Sequence, residues 1–167
     1  MRLLIAAALL TQLIFAGAAS ACQLQGPRAT VILSIEGQIG DCNAGFDVQF
    51  DLAMLESLPK REVRTQNPWE EGVATYEGVL LRDLLEAVKA NGTVLRIAAL
   101  NDYSADMDVE DTQSIDVILA FRRNGKYMPV REKGPLFVVF PFTDQPSLRV
   151  QQRFAQSVWQ VSRITVK

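Results

Sequence analysis

Thr65-Gln66-Asn67-Pro68-Trp69-Glu70-Glu71-Gly72-Val73-Ala74-Thr75-Tyr76-Glu77-Gly78-Val79-Leu80-Leu81-Arg82-Asp83-Leu84-Leu85 joins a polar, aromatic-bearing loop to a short extended segment and then to an amphipathic helix. Val73 to Gly78 reads as a strand or extended turn. Over Leu80 to Val88, the residues Leu81, Leu84, Leu85 and Val88 recur at i, i+3, i+4 and i+7, the period of a helix with one buried face, and Asn91-Gly92 supplies a stop. Trp69, set between Pro68 and Gly72, puts a large flat apolar face on a constrained turn, which is how sites for flat heterocycles are commonly built. The competing reading is a Trp that plugs the edge of the core.

Upstream of this stretch, Thr30 to Gly37 is rich in β-branched residues and reads as a strand turning at Gly40-Asp41. Phe46, Val48 and Phe50 alternate with Asp47 and Gln49 as a half-buried second strand. Asp51 then caps a short helix carrying Leu52, Met54, Leu55 and Leu58, stopped by Pro59. Downstream, Val94 to Leu100 is an apolar strand that runs into a loop over Asn101-Asp102-Tyr103-Ser104-Ala105-Asp106-Met107-Asp108. Ile115 to Phe121 is the next strand, Asn124-Gly125 a hairpin turn, and Tyr127 to Val130 its continuation. Gly134-Pro135 leads into Leu136 to Phe140, the most apolar strand, halted by Pro141. A polar segment holding Arg149, Gln151, Gln152, Arg153 and Phe154 reads as helical, and a strand pair, Ser157 to Gln160 and Ser162 to Val166, closes the chain. Strands outnumber helices and no regular alternation of the two appears, which predicts a single α+β domain on a mixed or largely antiparallel sheet with a few short helices.

The first 21 residues read as an export signal: Arg2, an apolar run, and Ala19-Ser20-Ala21 as a small-x-small cleavage site. That predicts a processed chain of residues 22–167 in the periplasm. Removal of Arg2 leaves 16 basic residues against 19 acidic, a net charge of −3 with the signs interspersed, which is no nucleic-acid surface. Cys22 and Cys42 are the two cysteines, and either a disulfide between them or lipidation of Cys22 is open. The chain has 0 histidines, so the commonest general base and metal ligand is absent and His-based triads and zinc hydrolases are excluded.

Four pieces, Tyr76 to Leu85, Asn101-Asp102-Tyr103, Leu119-Ala120-Phe121 with Asn124-Gly125-Lys126, and Gly134-Pro135-Leu136 ending at Phe140-Pro141, stand in an order that resembles the molybdopterin-binding domain of the sulfite oxidase family. The resemblance covers most of residues 22–167 and implies that family's fold. In that family the residues matching the first loop and the Asp-x-Tyr-like loop border a pterin cofactor, and a Cys about four residues before a Trp binds molybdenum. Here Thr65 stands four before Trp69, a hydroxyl where a soft thiolate is needed, and Phe137 stands where an Arg often follows Gly-Pro-Leu. What the resemblance then implies is a pterin-sized pocket without metal chemistry. Small exported pterin-binding proteins of the PruR type are similar in these features, with their Gly-Pro-Leu-aromatic strand and Ser-x-Trp-Gln segment matching Gly134 to Phe137 and Ser157 to Gln160.

A pterin presents a flat π face and, on its pyrimidine edge, two donors that one carboxylate accepts together. Trp69 or Tyr103 would supply the plate, Asp102 the acid, with Asp106, Asp108 and Glu77 as other acids, and Asn101 and Thr65 would meet the remaining edge atoms. Against this, Asp102 can cap its own turn, Asn101 can sit in a left-handed bend, and Tyr103 can be a core aromatic. Arg122 and Arg123 offer a cation to a ligand's hydroxyl tail or to a protein partner, or else mark a solvated strand end. Two functions follow from the resemblance. One is a periplasmic, non-catalytic receptor for a reduced pterin, not tightly bound, that relays its occupancy to a membrane enzyme of cyclic-dinucleotide signalling. The other is a molybdopterin-dependent oxidoreductase or its subunit, and Thr65 favours the first.

Overall fold

The computed structural model describes residues 24–40 and 47–167, so the expected leader, Cys22 and Cys42 lie outside the described residues. In chain order the first elements are β1 (Leu33–Gly37), β2 (Asp47–Phe50), α1 (Leu52–Ser57), β3 (Lys60–Thr65), β4 (Ala74–Leu80), α2 (Leu81–Ala87), β5 (Val94–Ala99) and β6 (Ser104–Asp108). They are followed by α3 (Val109–Ser114), β7 (Ile118–Arg123), β8 (Lys126–Tyr127), β9 (Phe137–Val139), α4 (Gln151–Gln156) and β10 (Val161–Val166). The strands form two sheets. One has the order β2-β1-β10-β5-β6, antiparallel except for the parallel pair β1·β10. The other has the order β3-β4-β7, with both β8 and β9 on the far side of β7, all antiparallel. The α+β reading with mixed and antiparallel sheets holds. No helix among the described residues is long and apolar enough to cross a membrane.

The main core lies between the sheets. Leu33, Ile35, Phe50, Ile97 and Ile164 of the first meet Leu119, Phe121 and Val138 of the second, and α2 adds Leu81, Leu84, Leu85 and Val88, the face its period predicted. The other side of the second sheet carries its own apolar cluster, with Val63, Tyr76, Ile118, Phe137 and Val139. β7 is therefore buried on both faces, which explains its unbroken run Ile118-Leu119-Ala120-Phe121. β4 serves both clusters by ordinary strand alternation, with Tyr76 on one face and Val79, three residues on, on the other, and its register with β7 shifts between Glu77 and Gly78. Gly78 permits that shift: a Cβ there would stand 2.2 Å from the Leu119 carbonyl oxygen.

Asp51 caps α1 as its position predicts, accepting from the Met54 amide, and its second oxygen accepts from the Arg28 and Ala29 amides. Five local readings change. The segment Ser104 to Asp108 is a strand and not part of a loop: Met107 points inward while Asp106 faces out, and Asp106 receives two hydrogen bonds from Arg96 directly opposite, at 2.8 and 2.9 Å. Val109 to Ser114 is a helix with one apolar residue, invisible to periodicity, favoured by Glu110 and Asp111 in its first turn. Ser157 to Gln160 is no strand; Trp159 makes a single bridge to Phe137, and β10 closes the chain alone, its neighbours being β1 and β5. The hairpin continuation stops at Tyr127, and α2 ends two residues before a left-handed Lys89 (φ 51°) and not at Asn91-Gly92.

Candidate functional site

β3 and β4 pair with Thr65 opposite Ala74, so residues 66–73 form the connection between them, and local bonds pin its first half. Thr65, fully buried, accepts through Oγ1 from the Thr143 amide at 3.3 Å, and the Gln66 amide donates to Thr143 Oγ1 at 3.1 Å. The bend that follows at Pro68 delivers Trp69 to the outside of the second sheet, 39% exposed.

Trp69 is one wall of a cleft of about 500 Å³. The β5–β6 hairpin contributes Ala99, Asn101 and Tyr103, α4 contributes Phe154 and Ala155, and the segment after it contributes Ser157, Val158 and Trp159. The aromatic rings meet edge to face: Trp69 and Trp159 have centroids 5.3 Å apart at 79°, and Trp69 and Phe154 are 6.3 Å apart at 75°. The contacts continue inward through Phe137 to Tyr76 and through Phe142, so the cleft wall is continuous with both apolar clusters. The Tyr103 hydroxyl donates to the Ala155 carbonyl at 2.9 Å and ties the hairpin to α4. Arg153, next to the wall residue Phe154, holds α4 to α3 through both oxygens of Asp111.

A recess of about 140 Å³ adjoins this cleft, sharing Pro68 and Phe154 with it and lined also by Gln66, Asn67, Glu70 and Arg149. Behind it lies a buried polar relay. The Asn67 amide nitrogen donates to the Tyr76 hydroxyl at 2.9 Å, and that hydroxyl donates to Glu70 at 2.6 Å. Glu70 also pairs with Lys133 at 2.8 Å and Arg123 at 3.0 Å. Burial works against the Glu70 charge, but the Lys133 and Tyr76 hydrogen bonds and the charges of Lys133 and Arg123 outweigh it, so its carboxyl lies below the usual value of 4.5. Burial, then the bond to Glu70 and its charge, push the Tyr76 phenol up to about 12. Glu70 is thus an anion and Tyr76 a neutral phenol across the physiological range.

Of the residues singled out from sequence, Trp69, Asn101 and Tyr103 come together on the cleft. Asp102 does not line it: the residue is exposed at the hairpin tip with φ 66°, its backbone amide donating to the Ala99 carbonyl at 3.3 Å. Asn101 likewise bonds its own turn, accepting from the Tyr103 amide at 3.2 Å. Thr65 lies behind the loop, outside the cleft lining. Arg122 points elsewhere, clasped by Glu77 and Glu56 at 2.7 Å each and stacked over the Tyr127 ring at 4.4 Å. Among the other acids, Asp106 is held by Arg96 and Glu77 by Arg122. Sequence reasoning did not place Trp159, Phe154, Asn67, Glu70 or Tyr76 at the site. Asn67 and Glu70 flank Trp69, and that adjacency was the available signal.

Molybdenum ligation does not fit these residues. The position that would carry the thiolate is a hard hydroxyl, fully buried and already engaged by the Thr143 amide. Among the described residues, no group of three or more His, Cys, Asp or Glu is placed to hold a metal ion.

Comparison with known proteins gives two positive findings. The model of the family described as oxidoreductase molybdopterin binding domain matches residues 45–143, a stretch that includes the Trp69 loop and the β5–β6 hairpin but not α4 or Trp159. Among solved structures, the sulfane dehydrogenase SoxCD from Paracoccus pantotrophus is similar, with a TM-score of 0.59 and 21% identity, over 80% of this chain and 37% of that one. This chain therefore spans little more than a third of that protein's length. No curated protein matches it. With over half of its residues matched by the family model, the chain belongs to the oxidoreductase molybdopterin-binding domain family.

Proposed function

We propose that the domain binds a pterin-type heterocycle in the cleft walled by Trp69, Trp159 and Phe154, and that it acts as a binding protein and not as a molybdenum centre. The observation that carries this reading is the pairing of an aromatic cleft on the family's own loop with a buried, engaged hydroxyl at Thr65. A cleft of about 500 Å³ suits a bicyclic ring with a short tail, and its walls are mostly apolar with a few polar groups at one end, as small-molecule sites are built. In this reading the ligand is a reduced pterin that exchanges. The protein works in the periplasm after removal of its leader, and its occupancy is passed to a membrane-bound enzyme of cyclic-dinucleotide signalling.

A second reading has one observation in its favour. The similar dehydrogenase is more than twice as long as the aligned stretch, which suits a domain serving within a larger oxidoreductase. One experiment separates the two: protein purified from its own host is assayed for molybdenum by elemental analysis and for released pterin by fluorescence and mass spectrometry. Pterin with negligible metal is the expected result. About one molybdenum per chain would overturn the binding-protein reading. Fractionation and N-terminal sequencing of the same material check the export and the start at Cys22.

A further inference from the structure

We infer that the side-chain oxygen of Asn67 is the recognition atom of the recess beside the aromatic cleft, and that it selects heterocycles presenting an amino or N–H donor there. This rests on the heterocycle-binding reading above. Asn67 is only 2% exposed, and its Oδ1 has no hydrogen-bond partner among the described residues. Buried acceptors are nearly always met, so an orphan on a residue that lines a recess calls for a donor from outside the chain.

The identity of that atom as an acceptor follows from the relay behind it. Glu70, an anion between Lys133 and Arg123, can only accept, so the single hydrogen of the Tyr76 hydroxyl is committed to it at 2.6 Å. The Tyr76 oxygen is left as an acceptor, and only the amino end of the Asn67 amide can serve it, at 2.9 Å. Turning the amide over would set two oxygens against each other with no hydrogen between them. The Glu70 carboxylate, acting through the Tyr76 phenol, therefore fixes the polarity of the Asn67 amide.

The recess, at about 140 Å³, is too small for a bicyclic ring but accepts an exocyclic group or a few waters, and it shares Pro68 and Phe154 with the cleft where the ring would lie. A ligand whose edge ends in an amino group satisfies Asn67, whereas one ending in a carbonyl leaves two acceptors facing. The ligand class is thus a 2-amino-substituted pterin over its 2-oxo counterpart. Glu70 touches no ligand in this scheme and is a positioning residue.

Calorimetry on the full chain with 6-methyl-7,8-dihydropterin and 6-methyl-7,8-dihydrolumazine tests the inference. The unsubstituted protein is expected to prefer the pterin by about tenfold or more. In Asn67→Ala that preference falls to within about twofold, because the discriminating acceptor is gone. Glu70→Gln keeps Asn67 but frees the phenol hydrogen and lets the amide turn over, so it too loses the preference, and it serves where Asn67→Ala fails to fold. Equal binding of the two compounds by the unsubstituted protein, or a preference that survives in a folded variant, overturns the inference and leaves the binding function standing. Binding of neither compound by the unsubstituted protein overturns both.

Discussion

Replacing Glu70 by Gln removes the charge that organises the loop from beneath. The Glu70 side chain is 13% exposed and accepts two hydrogen bonds, at 2.6 Å from Tyr76 and 2.8 Å from Lys133, with the Arg123 guanidinium 3.0 Å away as a further ion-pair partner. Glutamine keeps one acceptor oxygen and turns a donor toward two cations. Each charge-assisted bond contributes about 1.5–3 kcal/mol, but Lys133 and Arg123, at 25% and 38% exposed, can recover part of the loss from water. The expected net cost at pH 7 is therefore roughly 2–3 kcal/mol, or about 5–10 °C in melting temperature for a domain of this size. The pH dependence has a definite sign. The carboxyl binds its proton less readily folded than unfolded, so its contribution is fully present above about 4.5 and is lost as pH falls through the lower, folded value. Below that window the protonated parent resembles the variant, and their stability curves converge. Urea denaturation of both proteins from pH 7 to about 3 reads this directly, with the other carboxylates common to the two curves. A variant within about 0.5 kcal/mol of the parent at pH 7, or a constant gap across the acid range, would refute the account of the relay.

Trp69→Ala should weaken pterin binding by about ten- to a hundredfold in calorimetry, through loss of a ring wall, while costing only about 1 kcal/mol of stability, since the ring lies at the surface of the core. Asp102→Asn should change affinity by less than about twofold, because the residue is exposed at the hairpin tip; a tenfold loss would restore it as the anchoring acid. Asp111→Asn should destabilise the fold by roughly 2–3 kcal/mol in thermal melts, because it breaks a pair whose side chains are 16% and 18% exposed and loosens α4, which carries Phe154.

The elements that were legible are those whose burial is written in a period. Leu81, Leu84, Leu85 and Val88 announced α2, and Asp51 before an apolar pair announced the cap of α1. α3 escaped because its stability comes from packing beside α2 and from first-turn acids, not from an apolar stripe. Ser104 to Asp108 looked like a loop because three of its five residues are polar, yet one face of a sheet's edge strand faces water, and Arg96 opposite gives Asp106 its partner. At the site, Trp69, Asn101 and Tyr103 were found because aromatic and turn residues on loops mark surfaces. Phe154 and Trp159 were not placed there, since nothing local says that a helix more than eighty residues downstream packs against the Trp69 loop. Asp102, an acid beside a Tyr in that turn, sits exposed at the hairpin tip with a left-handed backbone and is not among the residues that line the cleft. The acid beneath the site was Glu70, next to Trp69, and its role depends on Lys133 and Arg123, which only the folded second sheet brings to it.

The close approach of Trp69 and Trp159 has a consequence for optics. These are the 2 tryptophans of the chain, and they stand 5.3 Å apart at 79° across one cleft. Their transitions should couple, giving a paired band in circular dichroism that vanishes when either indole is removed. Their emission originates at a single place, so a bound pterin, which absorbs where indole emits, should quench it by energy transfer. The domain therefore carries an intrinsic probe of occupancy, readable without a label.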